Sequence, residues 1–360
     1  MASLAQAEKA RASSQFEKAR HIYGALLRDK SLQKDEKAEI LLGLADVERI
    51  RGYFPEALRH YRKAENLLKT IDPVAEIDAQ VGWALAARAS GQPQAALQKL
   101  WKALAFYRKE RDLEGEAFVR WALGGTLRIA GDMKKGLQEL LTALRLFKKL
   151  KNSEGLSYTC CALGGIYRML GDYSRSGTYY REANRRMRQR GDAFGIAYSY
   201  CGLGNVERMA GRFKQALPFY KKAEKLYGKI GDRVSYAYTL WSLGTTYKML
   251  GQYLPAHWAF YKADKLFQQT GDTRGRIYAL LGFAEIEWLI AKENPKRIEK
   301  ATRKAKAYWK LAKKIGDSSH YVWEKLHVEA LRNGKVRNLS SKYKKAGSKF
   351  YPKTLPVNWP

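Results

Sequence analysis

One cation recurs at a fixed interval along this chain. Arg49, Arg88, Arg128, Arg168, Arg208 and Lys248 are separated by 39, 40, 40, 40 and 40 residues. A guanidinium is a planar fork of donors that fits carboxylate and phosphate. An aromatic series accompanies it: Phe118, Tyr158, Tyr198, Tyr238 and Tyr278, again 40 apart. Trp121 and Trp241 follow the first and fourth of these by three residues, and Cys161 and Cys201 hold the same place in the copies between. Aromatic rings supply large amphipathic contact area and attract cations to their faces. This combination suits recognition of a ligand that is both acidic and apolar.

The residues of catalysis are not arranged for it. His21, His60, His257, His320 and His327 stand in unrelated contexts, and none pairs with a Cys or carboxylate at ligand spacing. Cys160 and Cys161 fall within a helix beside apolar neighbours and read as buried thiols. The Gly-Gly pairs lie inside helices and precede no Gly-Lys-Ser/Thr, so no phosphate-cradling loop is present. The expectation is a protein without enzymatic activity, metal or cofactor.

The spacing of the cations follows from a repeat. The stretch from Leu163, LGGIYRMLGDYSRSGTYYREA, has sisters at Leu203 and Leu243 and a weaker copy at Leu123. Gly52, Gly91, Gly131, Gly171, Gly211 and Gly251 mark a turn in the middle of each unit. Asp72, Asp112, Asn152, Asp192, Asp232 and Asp272 mark the boundary after it, and Asp317 comes 45 residues later. A fixed period in this range means a stacked array of helix pairs. Ser14 and Ala291 stand where the first and last turn glycines belong. The count is therefore about eight units, with atypical ends that cap the stack. The boundaries at 191–192, 231–232 and 271–272 carry Gly for a left-handed helix end, and every boundary carries Asp or Asn as N-cap of the next helix. A further Gly three residues on, as in GDAFG 191–195, suits close approach of helices. Pro55, Pro93 and Pro255 follow turn glycines and mark the first turn of a second helix.

The pattern of Leu163, Gly164, Tyr167, Gly171, Tyr173, Tyr180 and Ala183, repeated as Leu243, Gly244, Tyr247, Gly251, Tyr253, Ala256, Phe260 and Ala263, resembles the tetratricopeptide repeat. The resemblance covers roughly residues 5–317. It departs from the usual form in its 40-residue unit, in having Arg120, Cys160, Tyr200 or Leu240 at the tryptophan position, and in lacking the closing proline. It is similar to the longer subclass of Leu-Gly-Asn repeat proteins, which grip extended partner peptides, and Leu203, Gly204 and Asn205 spell that motif once. The resemblance implies an all-α, right-handed superhelical solenoid of about eight helix-turn-helix repeats, with the first helix of each unit lining the concave surface.

An angular argument selects the same surface. With the turn glycine as position 15, positions 4, 7, 8, 11 and 14 of the first helix share one side at about 100° per residue and are mostly apolar or glycine. Positions 2, 5, 9, 12 and 13 share the other side. The cations are position 12 and the tyrosines position 2. Position 9 is Gly125, Gly165, Asn205 or Thr245, small enough to leave room for a ligand backbone. Position 13 is Ile129, Met169, Met209 or Met249, an adaptable apolar floor. The expected partner-binding set is Arg88, Arg128, Arg168, Arg208, Lys248, Phe118, Tyr158, Tyr198, Tyr238, Tyr278, Trp121, Trp241 and Asn205. The competing reading is that the tyrosines and methionines only pack between neighbouring helices, and that duplication alone maintains the ladder.

Charge adds a second candidate partner. The 360 residues hold 67 Lys and Arg against 35 Asp and Glu, a net charge of +32, and residues 301–360 alone hold 15 against 3. Such a surplus bears on partners and solubility and not on fold. Nucleic acid, an acidic protein segment or an anionic surface would fit it as partner, and a merely solvated basic face fits it equally. The densest cluster is Arg185, Arg186, Arg188 and Arg190, on a second helix and so on the convex face. Residues 318–334 read as a C-terminal capping helix. In residues 335–360, Lys342, Lys344, Lys345, Lys349 and Lys353 alternate with Tyr343, Phe350, Tyr351 and Trp359, and prolines at 352, 356 and 360 oppose a helix. This tail is expected to be extended or partly disordered. It is a candidate to bind single-stranded nucleic acid, to pack on the solenoid, or to occupy the groove itself. The polar N-terminus has no apolar core, and no run approaches the ~18 residues of a membrane span. These features predict a soluble cytoplasmic protein.

Overall fold

The computed structural model of the protein describes residues 3–319, 321–348 and 350–360. Met1 and Ala2 of the polar N-terminus, His320, and Lys349 of the basic tail lie outside the described residues. The first sixteen helices form eight consecutive pairs. The first pairs are α1 (Leu4–Ala12) with α2 (Phe16–Leu26), α3 (Lys34–Arg51) with α4 (Phe54–Leu68), and α5 (Pro73–Ala89) with α6 (Pro93–Lys109). The middle pairs are α7 (Leu113–Ala130) with α8 (Met133–Lys149), and α9 (Ser153–Met169) with α10 (Tyr173–Arg190). The last are α11 (Ala193–Met209) with α12 (Phe213–Ile230), α13 (Arg233–Met249) with α14 (Tyr253–Thr270), and α15 (Thr273–Glu293) with α16 (Ile298–Asp317). Among the described residues no helix is long and apolar enough to cross a membrane.

Local chemistry sets each boundary. The side chains of Asp72, Asp112, Asn152, Asp192, Asp232 and Asp272 all accept from backbone amides in the first turn of the helix they precede. Gly191, Gly231 and Gly271 close the preceding helices with φ of 68°, 75° and 67°, a region that disfavours any side chain. Ser14 takes the turn position of the first unit at φ 57°. In the last unit α15 runs straight through Ala291, and a 3-10 turn at Pro295–Arg297 replaces the tight turn. Glycine inside the helices admits the facing aromatic ring. A Cβ on Gly275 would lie 2.2 Å from the Phe267 ring, and one on Gly202 would lie 2.1 Å from Tyr180.

The stack curves until it meets itself. The Arg51 guanidinium at the end of α3 donates to the carbonyl of Gly231, between α12 and α13. Arg233 donates back to the Arg51 carbonyl through Nε and Nη2, each at 3.3 Å. The Tyr53 ring lies between Arg20 at 4.3 Å and Arg233 at 4.4 Å. Five units of superhelix therefore enclose an inner channel.

The C-terminal residues lie along this channel. Helix α17 (Val322–Ala330) packs against α15 and α16, as a cap would. It also crosses to α7, where the Trp323 indole donates to the Arg128 carbonyl at 3.1 Å. A two-residue hairpin, β1 (Leu331–Arg332) with β2 (Lys335–Val336), leads to the short helix α18 (Ser340–Lys345). Residues 351–360 are irregular but ordered, and Trp359 is fully buried. The expected extended tail is thus partly helical, because α18 ends before the first of the prolines, and it packs inside the solenoid.

Candidate functional site

The inner face is built from the odd-numbered helices α3 to α15, and its central feature is the cation column. The six rungs fall into braced and unbraced classes. Arg49 is braced by Asp46, at 3.2 Å from Nη2, and by the Tyr61 hydroxyl, at 3.2 Å from Nε. Tyr61 in turn donates to Asp46 at 2.6 Å. Arg208 repeats this triangle. Its Nε donates to the Tyr220 hydroxyl at 3.2 Å and its Nη2 to Asn205 Oδ1 at 3.3 Å, and Tyr220 donates to Asn205 at 2.9 Å. Lys248 is held differently, by the Glu285 carboxylate of the next unit at 2.7 Å, with both side chains fully buried.

Arg88, Arg128 and Arg168 have no such brace, and the reason is written at position 9. That position is Asp46 and Asn205 in the braced units. It is Leu85, Gly125 and Gly165 in the other three. Arg88 makes one long contact, 3.4 Å to the Ala122 carbonyl, and lies 5.7 Å from the Trp121 ring centroid. Nε and Nη1 of Arg168 are buried without a hydrogen-bond partner. Among the described residues none of the three enters an ion pair. Burial, reinforced by Arg128 and Arg49, pushes the Arg88 guanidinium down to about 10. Burial and then Arg274 lower Arg128, with Arg168 adding to the effect. Three like charges thus share one protein-walled space with no counter-charge. Such an arrangement attracts an anion, because a guanidinium inside protein needs its donors satisfied.

The other expected groove residues divide between scaffold and surface. The Tyr158 hydroxyl donates to Asp192, the N-cap of the next unit, at 2.9 Å. Tyr238 packs edge-on to Phe267, and Tyr278 is buried against His327. Tyr158 thus ties its unit to the next, Tyr238 packs within its own unit, and Tyr278 reaches both α17 and Trp241 of the preceding unit. Phe118 and Tyr198, 41% and 38% exposed, remain accessible. Trp121 and the buried Trp241 each receive a guanidinium from the preceding unit, Arg88 at 5.7 Å and Arg208 at 5.4 Å. Asn205 is the brace described above and also accepts from Ser242 at 3.2 Å. The space at Gly125 is taken by the Arg88 guanidinium, 2.6 Å from where a Cβ would stand.

Arg208 and Lys248 are engaged by the chain's own C-terminus. Arg208 Nη1 donates to Asn358 Oδ1 and, at 2.7 Å, to the Trp359 carbonyl. Lys248 donates to the Val357 carbonyl at 2.9 Å. Glu285 accepts the Val357 amide at 2.7 Å and the Trp359 indole at 2.5 Å. Sequence reasoning missed Glu285, although it stands at position 9 of the last unit and breaks the small-residue pattern there. It also missed the buried pair of Arg274 with Glu324, at 2.7 Å, which anchors α17 to α15. No periodicity marks that pair.

On the convex face the basic cluster is largely paired. Arg185 and Arg186 share Glu182 at 2.8 and 2.6 Å, and Arg190 reaches Glu154 at 2.6 Å, while Arg188 is exposed. In α18, Lys342 pairs with Glu329 at 2.6 Å. Lys344 and Lys345 face solvent, and Tyr343 between them is buried. The aromatics Tyr343 and Trp359 that would stack on bases therefore point into the protein.

The family model for the tetratricopeptide repeat matches residues 158–229 and 195–269. Within this chain, residues 158–269 are therefore tetratricopeptide repeats. Solved structures extend this likeness over most of its length. A Rap protein complexed with Competence and Sporulation Factor superposes with a TM-score of 0.60 at 14% identity, covering 87% of this chain and 96% of that one. The Rap conjugation gene regulator of the plasmid pLS20, in complex with the Phr* peptide, gives 0.62 at 16%, over 78% and 75%. NprR in complex with its cognate peptide NprX gives 0.57 at 15%, over 91% and 94%. At these identities the likeness concerns the fold. No curated protein matches the chain in sequence.

Proposed function

We propose that this protein is a non-enzymatic scaffold that holds an acidic, partly apolar segment of a partner on its inner face. The segment's carboxylates engage Arg88, Arg128 and Arg168, and its apolar residues lie against Phe118, Trp121 and Tyr198. One observation carries this reading: the three middle rungs are enclosed by protein and lack both counter-charge and brace. The rungs at either end are satisfied within the chain. The ligand site is therefore narrower than the whole ladder. The likeness to the Rap and NprR folds, whose structures contain peptides, supports a peptide-sized ligand.

The test is fluorescence anisotropy with a labelled twelve-residue peptide alternating Glu and Leu, beside a copy with Gln for Glu. The acidic peptide should bind and weaken with added salt, as partly screened charges do. Arg128→Gln and Arg168→Gln together should cost roughly 3 kcal/mol, about a hundredfold in affinity, at unchanged melting temperature. Equal affinity of the acidic and neutral peptides would sink the reading. A labelled single-stranded RNA run in parallel identifies the other outcome, since displacement of the peptide by RNA near physiological salt would assign the arginines to phosphate.

A further inference from the structure

The last ten residues are held in the way a solenoid holds a foreign peptide. Among the described residues, no backbone-to-backbone hydrogen bond joins residues 351–360 to the rest of the chain. The anchors are side chains of α11, α13 and α15. They contact three consecutive residues. Val357 is gripped at its amide by Glu285 and at its carbonyl by Lys248. The Asn358 side chain accepts from Arg208 and returns a donor to the Arg208 carbonyl at 2.9 Å. Trp359 gives its indole N–H to Glu285 and its carbonyl to Arg208. Its ring lies 4.6 Å from His327 and 6.1 Å from Phe350, tilted against both.

Most of the receiving site is satisfied without this segment. Lys248 and Glu285 satisfy each other at 2.7 Å, and Arg208 retains Tyr220 and Asn205. Withdrawal of the segment leaves the Lys248–Glu285 pair intact and takes the acceptors of Arg208 Nη1, which then opens to water. The site is pre-organised, the condition under which a peptide binds at low ordering cost. The segment is irregular and carries Pro352 and Pro356, so it adopts no competing helix on leaving.

We infer that the groove section formed by Arg208, Lys248 and Glu285 is a second peptide-binding site, distinct from the middle rungs, and that residues 351–360 are its exchangeable occupant in cis. The ligand class is an extended, proline-flanked segment carrying an aliphatic residue, Asn and Trp in succession. The tether gives the cis segment an effective concentration in the millimolar range, so a segment in trans competes only when the cis copy is weakened or the trans copy is abundant. The inference uses different residues from the acidic-segment reading and does not rest on it.

The experiment uses the full chain. Trp359→Ala removes the side chain that fills the cage of His327 and Phe350. A labelled peptide of sequence YPKTLPVNWP is then added in trans. Truncation of a buried tryptophan anchor costs 2 kcal/mol or more, about thirtyfold, so the variant should bind the peptide at least about thirtyfold more tightly than the wild type does. Adding Arg208→Ala to the variant should abolish that binding. A folded Trp359→Ala protein that binds the peptide no better than wild type overturns the inference. Hydrogen exchange on the wild type decides the matter if the variant fails to fold. The Val357 amide, which Glu285 holds, should exchange by local opening, at least about a hundredfold faster than the amides in the middle of α11 and α13. Exchange of both at one common rate also overturns it.

Discussion

A single position, three residues before each arginine of the ladder, decides whether that arginine is braced within the scaffold. Asn205 accepts from Arg208, Tyr220 and Ser242, and Gly165 in the preceding unit has no side chain to accept with. The brace can be moved. A Cβ on Gly165 would meet only the Tyr180 hydroxyl, at an ordinary 3.5 Å, and Tyr180 is the counterpart of Tyr220. Gly165→Asn should therefore give Arg168 the partners that Arg208 has. It should raise stability by about 1 kcal/mol, from a new hydrogen bond and the loss of a helical glycine. It should also weaken the acidic peptide about tenfold, because Arg168 is then committed. Thermal melts and anisotropy on one preparation check both effects, and a stabilised variant of unchanged affinity would remove Arg168 from the ligand site. The converse change, Asn205→Ala, leaves three buried donors without their acceptor and should cost ~2–3 kcal/mol in urea unfolding. At this scale the ladder was legible in the sequence, because each rung repeats. Its division into two classes was legible too, in the exchange of Asp46 and Asn205 for Leu85, Gly125 and Gly165. The assignment of Glu285 was not, since its partners Val357 and Trp359 are more than seventy residues away.

At the scale of elements, the helices and their ends could be read directly, since N-caps, turn glycines and boundary glycines act within a few residues. The placement of α17 could not. Its apolar face reads as a cover for the last unit, and nothing local says that it also crosses to α7. That placement has a titration signature. His327 in α17 is fully buried, neither ring nitrogen has a partner, and aromatic rings surround it. Burial pushes its imidazole down to about 4, with the nearby Glu324 only partly opposing. The unfolded chain takes up this proton near pH 6.5 and the native one near 4. Between those values acid favours unfolding by up to about 1.4 kcal/mol per pH unit. Asp232, the N-cap at the closure, acts in the opposite sense. Burial raises it to about 6, so the native state takes its proton first and gains stability as pH falls from 6 towards 3.8. The two effects largely offset each other in the wild type between pH 4 and 6. Comparison with His327→Phe isolates one of them. The stability difference between wild type and variant should shift by ~2 kcal/mol in the variant's favour between pH 7 and 4.5, read from urea unfolding. Parallel pH profiles would show that the ring is protonated, or exposed, in the native state.

At the scale of the molecule, the channel exists because a small rotation per unit accumulates until the second unit meets the boundary of the sixth and seventh. A repeat sequence encodes nearest-neighbour geometry and carries no separate signal for a contact five units away, which is why the closure was not legible. Few groups make it. Arg51 bonds to Gly231, Arg233 returns to the Arg51 carbonyl, and Tyr53 is held between two guanidiniums. Each cation–π contact is worth ~0.5–2 kcal/mol, which is little against the stacking energy of eight units. The closure should therefore open before the solenoid unfolds. Tyr53→Ala with Arg233→Ala should raise the radius of gyration in small-angle scattering at unchanged helicity. The same variant bears on the middle rungs. In the closed ring Arg88, Arg128 and Arg168 face a space walled by protein, where salt screens their attraction for a carboxylate only weakly. In an opened ring the same charges meet bulk electrolyte, whose Debye length is about 8 Å at physiological salt. Acidic-peptide affinity should then fall more steeply with salt in the double variant than in the wild type. A scattering profile and a salt slope that both match the wild type would mean that these contacts only decorate a curvature set by the units themselves. A larger radius with an unchanged slope would place the peptide on a surface that the closure does not enclose.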